Sequence, residues 1–456
     1  MRLGPETSSE RASLGVRRTI PNLRWWIAGL LAIATALSYL DRQSFPIIVG
    51  EIKERIPISD KQYGHLTSLF LFAYALMYAG GGRLMDLLGT RVGYMVMILW
   101  WSAANFFTGT VTTLMGLGVC RFMLGMGEGG GFPGSAKAVA EWFPAKERAT
   151  AFGIFNTGSS VGAVVAPPLV ALIVSYLGWR WVFFLTGGLG FIWAIAWLKL
   201  YQTPVRSKFI SEQELDHIAG KVGRGVPTAP LGLEAAVRRS PDTVLRDLSW
   251  FDLFSYRQVW GLMTAKFFSD AAWFFFIFWL PKYLGDVRHL NIKEIGYFAW
   301  IPYAFAGVGS MLGGWASSYL IRRNVVLDRA RKIALAIGAC LMPASLFIAA
   351  SPLSFAIVFF SIAMFAHQFW SANVQTLPAD IFPARVVGSV GGLLGSAGSF
   401  GGMLFGWLVG HLVERYGYRS TFVLAGIMHP LAFGVILLAV KRIEPLSLRL
   451  VTSLKT

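Results

Sequence analysis

Charge is scarce in this chain. Only 14% of its 456 residues are Asp, Glu, Lys or Arg, against roughly 25% in a typical soluble protein, which excludes an ordinary water-soluble globule. Cysteine is nearly absent. Cys120 and Cys340 both lie in apolar runs and read as small buried hydrophobes, so neither a disulfide framework nor a metal centre is expected. No GxxxxGK[ST] phosphate loop occurs, which excludes ATP as the energy source. No Ser/His/Asp set, paired general-acid carboxylates or metal-ligand spacing stands out. The chain is therefore not expected to be an enzyme or to carry a bound cofactor.

What is present is apolar. Hydrophobic residues make up 55% of the chain, with 17 Trp and 35 Phe, a composition that fits lipid-facing surfaces and interfacial belts. A net charge of +17 raises nucleic acid as a partner. The positive residues cluster in alternate loops, however, which is the pattern that orients membrane helices. The expected partner is the lipid bilayer and not nucleic acid.

Apolar runs of spanning length recur near 25–47, 63–87, 92–111, 113–140, 149–177 and 180–200. They resume near 257–284, 294–320, 331–350, 354–378, 386–413 and 420–440. The pattern predicts an all-α integral membrane protein with twelve transmembrane helices. The first 24 residues are polar and basic, and the run after them is long enough to span, so the first helix is expected to be an uncleaved anchor. Even-numbered connections hold Arg91, Lys146, Arg148, Arg206, Arg238, Arg239, Arg322, Arg323, Arg329, Arg331 and Lys332. They are expected in the cytoplasm together with both termini. The division is then a cytoplasmic tail 1–24, a six-helix bundle 25–200, a central loop 201–256 with room for one surface helix, a second bundle 257–442 and a tail 443–456.

The two halves repeat. Phe143-Pro144-Ala145-Lys146 aligns with Phe382-Pro383-Ala384-Arg385, and the same offset carries Gly162 onto Gly401, Gly178 onto Gly417 and Arg180 onto Arg419. Upstream, Gly64 falls onto Gly296, Gly81-Gly82 onto Gly313-Gly314 and Arg91 onto Arg323. A duplicated six-helix unit is a transporter plan, with the binding site at the bilayer midplane between the halves.

The run Leu114–Glu141 carries Arg121 and Glu128 inside an apolar, glycine-rich stretch. Seven residues are almost two helical turns, so both side chains leave one face about 10 Å apart. A charge at membrane depth costs at least roughly 2.5–3.5 kcal/mol, and the default reading is a substrate or ion pathway. A structural ion pair between packed helices remains the alternative. In the same run Gly125-x-Gly127-x-x-Gly130 matches a dinucleotide fingerprint, but an apolar helix precedes it where a strand is needed. These glycines are read as close-packing positions between membrane helices.

Gly82-x-Leu84-x-Asp86-x-x-Gly89-x-Arg91 resembles the signature loop of the major facilitator superfamily. Its second copy is degraded, with Ser318 in place of the acid and Ile321 in place of the glycine. Other stretches resemble the anion:cation symporters and, within them, the hexuronate transporters: Glu141-Trp-Phe-Pro-Ala-Lys-Glu-Arg148, Phe155-Asn-Thr-Gly-Ser-Ser160, Ala166-Pro-Pro-Leu169, Ile292-Lys-Glu-Ile295, Phe298-Ala-Trp-Ile-Pro302 and Phe365-Ala-His-Gln368. The resemblance implies two pseudo-repeated six-helix bundles in the cytoplasmic (inner) membrane. It also implies a monomer that imports a sugar-acid monocarboxylate together with protons, with no cofactor beyond the coupled proton.

On this resemblance Arg121 meets the substrate carboxylate and Glu128 carries the coupled proton. Physical chemistry allows both. A guanidinium stays charged when buried and offers a planar fork to a carboxylate, while desolvation favours reversible protonation of a glutamate and a nearby Arg opposes it. Asp41 is a third intramembrane charge, roughly 24 Å along the first helix; it could face Arg121, and it supports proton coupling. An ion pair of Asp41 with Arg42 at the outer interface is its alternative.

Further substrate-binding candidates are Tyr39 on the first helix, and Asn156 and Ser160 on the fifth. Lys266 and Trp273 on the seventh share a face with Asp270, although Lys266 and Asp270 could simply pair. Gln368 and Asn373 on the tenth complete the set, beside His367, which aligns with Glu128 in the repeat. Asp86, Arg91, Glu141 and Arg148 are gating candidates, because the resemblance implies a charge network that latches the cytoplasmic side. The rival readings are transport of galactonate or another organic anion, anion exchange, which Glu128 disfavours, and a non-transporting membrane sensor of the same fold.

Overall fold

The structure, a computed structural model, describes residues 19–144, 147–219 and 250–446. It is helical throughout, and no strand occurs among the described residues. The first half comprises α1 (Leu23–Lys53), α2 (Asp60–Thr108), α3 (Leu114–Gly129), α4 (Gly131–Trp142), α5 (Arg148–Leu177) and α6 (Trp179–Leu200). A short α7 (Glu212–Ile218) follows. The second half comprises α8 (Arg257–Asp286), α9 (Ile292–Phe298), α10 (Trp300–Arg322), α11 (Leu327–Leu341), α12 (Leu353–Val374), α13 (Leu377–Ile381), α14 (Ala384–Tyr416) and α15 (Tyr418–Val435).

Among the described residues, ten stretches are long and apolar enough to cross a membrane, and two details raise the number of crossings to the expected twelve. The 49 residues of α2 would extend roughly 73 Å as one helix, far beyond a hydrocarbon core of about 30 Å. The helix breaks at Gly89, whose φ of 74° lies where a side chain is disfavoured, so α2 supplies two crossings. The other detail is the crossing that carries Arg121 and Glu128, which divides at Gly130 into α3 and α4. Helix starts follow local chemistry. Ser59 and Gln62 form a capping box at α2, and Asn291 and Glu294 form one at α9.

The glycine pattern in α3 is a packing device. A Cβ on Gly127 would come 2.6 Å from the Cβ of Trp101, and one on Gly130 would come 2.7 Å from the sulfur of Met97. These two face the second arm of α2, and a Cβ on Gly125 or Gly129 would press on the Phe70 or Tyr74 carbonyl of the first arm, so the glycines together let α3 lie against both.

The halves meet through α2 with α14, α5 with α9 and α10, and α1 with α8. Contact concentrates at the end of the molecule away from the described termini, here called the distal end. There Gly64 faces Gly406 and Gly410 so closely that a Cβ would come 2.8 Å from the Gly406 carbonyl oxygen, and Ser68 Oγ donates to Met403 O at 2.8 Å. Towards the opposite, proximal end, Gly153, Gly388, Gly391 and Gly392 would meet nothing within 4 Å. The molecule is closed distally and parted proximally.

A charge cluster seals the distal end. Lys282 of α8, with its side chain fully buried, donates to Asp60 of α2 and to Asp286 one turn on. Lys53 of α1 lies 3.6 Å from Asp286 and 4.0 Å from Asp60. The Tyr63 hydroxyl donates to the Phe278 carbonyl across the same seam. At the proximal end α7 docks on the first half. Glu214 accepts from the backbone N–H of Leu23 (3.0 Å) and Arg24 (3.1 Å), and the Arg24 side chain also reaches Glu147 at 2.9 Å. The expected surface helix of the central loop is therefore present; the rest of that loop, with Arg238 and Arg239, lies outside the described residues.

Candidate functional site

A cleft walled by residues of the first half ends on a buried ion pair. Arg42 of α1 donates through Nε (3.0 Å) and Nη2 (2.8 Å) to a single oxygen, Oε2, of Glu128. The two side chains are 4% and 0% exposed, and Glu128 Oε1 has no partner. The guanidinium lies 4.8 Å from the ring centroids of both Tyr39 and Tyr74. Tyr39 and Arg42 are one turn apart, so they present the same face of α1. The space in front of this pair amounts to about 490 Å³ and is lined also by Ser38, Phe155, Asn156 and Ser159.

Arg121 is 2% exposed, and its Nε and Nη2 atoms have no hydrogen-bond partner. Its guanidinium lies 4.8 Å over the ring of Phe45. A buried cation with no ion-pair partner among the described residues is costly to retain, which makes the position a candidate substrate contact. It forms no ion pair with Glu128 or with Asp41. Asp41 faces elsewhere: its Oδ1 accepts from Asn105 at 2.7 Å, and its Oδ2 is unpartnered. The physical reason is rotation. Neighbouring helical residues point about 100° apart, so Arg42 turns to α3 while Asp41 turns to α2 and α6, and no Asp41–Arg42 pair forms.

The second half contributes a different chemistry. Lys266 and Asp270 pair within α8 at 2.8 Å. Trp273 stacks on His367 with ring centroids 4.7 Å apart and 9° between planes, and His367 Nδ1 lies 3.1 Å from Nε2 of His429 on α15. The position aligned with Glu128 thus holds an imidazole pair. Gln368 is half-buried on α12. Ser160 abuts Gly307 of α10 at the seam between halves. Asn373 is committed to helix packing, donating to the carbonyls of Gly313 (2.9 Å) and Phe369 (3.0 Å). The structure does not bring it to the cleft.

The gating candidates are spread over the proximal rim and form no ion pair with one another. Asp86 pairs with Lys137 at 2.6 Å, and Arg91 donates to Leu198 O at 2.5 Å. Glu141 accepts from Thr90 and Tyr201, each at 2.6 Å. Arg148 donates to Phe143 O (3.0 Å) and Ala140 O (3.1 Å). All these partners belong to the first half.

A family profile described as the Major Facilitator Superfamily matches residues 31–406 and 324–453. The chain belongs to the Major Facilitator Superfamily. It is a membrane transporter of that superfamily and not an enzyme. It is 34% identical to a hexuronate transporter of Escherichia coli K12 over 92% of this chain and 94% of the relative. It is 33% identical to a D-galactonate transporter of Escherichia coli O6:H1, over 86% and 90%. Among solved structures, an inward-facing, occupied bacterial homologue of the human lysosomal transporter Spinster superposes with a TM-score of 0.72 at 19% identity, covering 93% of this chain and 98% of that one. The inward-open xylose transporter of Escherichia coli gives 0.67 at 14% identity, covering 91% and 96%. At such identities the likeness speaks to the fold alone.

Sequence reasoning missed three features: Arg42 as the partner of Glu128, the Lys282 seal and the His429 contact. Arg42 carried a signal, being a second arginine at membrane depth with Tyr39 one turn before it. Lys282 pairs with Asp286 one turn on, but its partner across the seam, Asp60, and the His367 that meets His429 lie far away in sequence.

Proposed function

We propose that this transporter is a proton-coupled symporter that imports a sugar-acid monocarboxylate, a hexuronate, across the cytoplasmic membrane as a monomer with both termini in the cytoplasm. The proximal end is then the cytoplasmic one, and the cleft faces the cytoplasm. The observation that carries this reading is Arg121, a buried guanidinium whose Nε and Nη2 have no hydrogen-bond partner, two turns from a carboxylate held by a different arginine. A substrate carboxylate supplies the missing counter-charge through a forked pair of hydrogen bonds.

Coupling follows from Glu128. Ionised, it holds Arg42; protonated, it gives up most of its attraction for that guanidinium, and Arg42 between Tyr39 and Tyr74 becomes free to meet an anion entering the cleft. Asp41 is the second proton site. Asn156 offers an amide to sugar hydroxyls at the cleft wall, and Trp273, Lys266 and Gln368 form the opposite wall. Asp86, Arg91, Glu141 and Arg148 engage across the cytoplasmic rim when the cleft closes there. The names of the relatives, hexuronate and D-galactonate transporters, support a sugar acid as cargo.

The test is competition in proteoliposomes. Glucuronate and galacturonate are expected to inhibit labelled glucuronate uptake strongly, galactonate more weakly and neutral glucose not at all. Equal inhibition by glucose would overturn the carboxylate requirement.

A further inference from the structure

We propose that Asn105 is a positioning residue for the proton-accepting carboxyl of Asp41, fixing which of its oxygens takes the proton; this rests on the proton-coupled reading above. Asn105 lies on the second arm of α2 and is fully buried. Its Nδ2 donates at 2.7 Å to Asp41 Oδ1 and at 2.7 Å to Thr186 Oγ1 of α6. One amide therefore ties together α1, α2 and α6.

Asn373, which joins helices, spends both donors on backbone carbonyls. Asn105 spends both on side chains, one of them ionisable. Around it stand three buried oxygens without partners: Asp41 Oδ2, Asn105 Oδ1 and Ser102 Oγ one turn earlier. A neutral amide stays a donor whether or not Asp41 carries a proton, so Oδ1 remains occupied in both states. Oδ2 is left as the oxygen that accepts the proton. The charged groups acting on this carboxyl are Glu128 and Arg121, both on α3. The other elements at the carboxyl, α2 and α6, bring only the neutral Asn105 and Thr186, and no side chain of α5 or α8 pairs with it among the described residues.

The measurement is substrate exchange in proteoliposomes with equal pH on both sides, taken through a pH series. Exchange requires the protonated carrier and falls off as pH rises. Asn105 supports the ionised carboxylate, so Asn105→Ala should let exchange persist about one pH unit higher. Asn105→Ser keeps a donor and should lie between Ala and the parent. Ala is the best helix former; should it still fail to accumulate, Asn105→Leu fills the space without a donor and carries the same expectation. In an Asp41→Asn background the Ala substitution should produce no shift. A pH profile unmoved by Asn105→Ala in the parent would overturn the proposal, as would an equal shift in the Asp41→Asn background. Failure of the underlying reading looks different: Asp41→Asn alone would then keep gradient-driven accumulation.

Discussion

On the proposed reading substrate recognition turns on Arg121, whose Nε and Nη2 have no hydrogen-bond partner and which pairs with no acid among the described residues. Arg121→Lys keeps the charge and loses the planar fork. Loss of a charge-assisted hydrogen bond is worth about 1.5–3 kcal/mol, so substrate affinity should fall roughly tenfold to a hundredfold while protein yield is unchanged. Saturation binding to the purified variant measures this, and near-parental affinity would make Arg121 a structural residue. Arg42 behaves differently. Arg42→Gln leaves Glu128 buried without its cation, a loss of about 3–5 kcal/mol when a buried pair is broken. Thermal unfolding should drop clearly, and recovery of stability in the double variant Arg42→Gln/Glu128→Gln would show that the penalty belongs to the orphaned carboxylate.

At the scale of elements, the distal seal is held by Lys282 between Asp60 and Asp286. Lys282→Ala leaves two carboxylates facing across the seam, which favours opening. In a background lacking Cys120 and Cys340, labelling of Phe45→Cys by a membrane-impermeant thiol reagent from the distal side should rise about tenfold or more. Lys53→Ala, whose charge lies farther from the acids and is partly solvated, should have a smaller effect. Labelling unchanged by Lys282→Ala would mean that the glycine contacts alone keep the end shut.

The proximal clasp of α7 is a second element with a testable chemistry. Partial burial of Glu147 opposes its ionisation, but hydrogen bonds from Arg24 and His217 outweigh that and hold its carboxyl below the usual range. A carboxylate lowered in this way stabilises the fold above its unfolded value and loses that contribution as pH falls through the folded one. Protection of the α7 amides relative to their unfolded exchange rate should therefore hold from neutrality down to mildly acid pH and be lost only below the ordinary glutamate range. Fast exchange already at neutral pH would contradict the docking of α7.

For the whole molecule, the sequence carried the architecture because its signals are one-dimensional. Spanning length, alternating loop charge and an internal repeat need no partner to be read, and Gly178 and Gly417 occupy matching left-handed turns as the repeat requires. Arg121, Glu128 and Asp41 were legible for the same reason, since a charge in an apolar run is visible without a fold. Their partners were not. Whether Glu128 meets Arg121 or Arg42 depends on how α1 is rotated against α3, a relation between helices that no single stretch of sequence carries. The two crossings that join in α2 were legible too, as separate apolar runs near 63–87 and 92–111 on either side of Gly89, where the helix breaks.

The central claim is that Glu128 couples substrate movement to a proton gradient. Glu128→Gln is the direct probe, because the amide has nearly the same size, cannot ionise and still offers an oxygen to Arg42, which keeps its contacts with Tyr39 and Tyr74 at about 0.5–2 kcal/mol in all. In vesicles holding equal amounts of either protein, the parent should accumulate glucuronate against its gradient when an inward proton gradient is imposed. The Glu128→Gln protein should catalyse glucuronate counterflow yet show no accumulation. Accumulation by Glu128→Gln to the parental level would contradict the account.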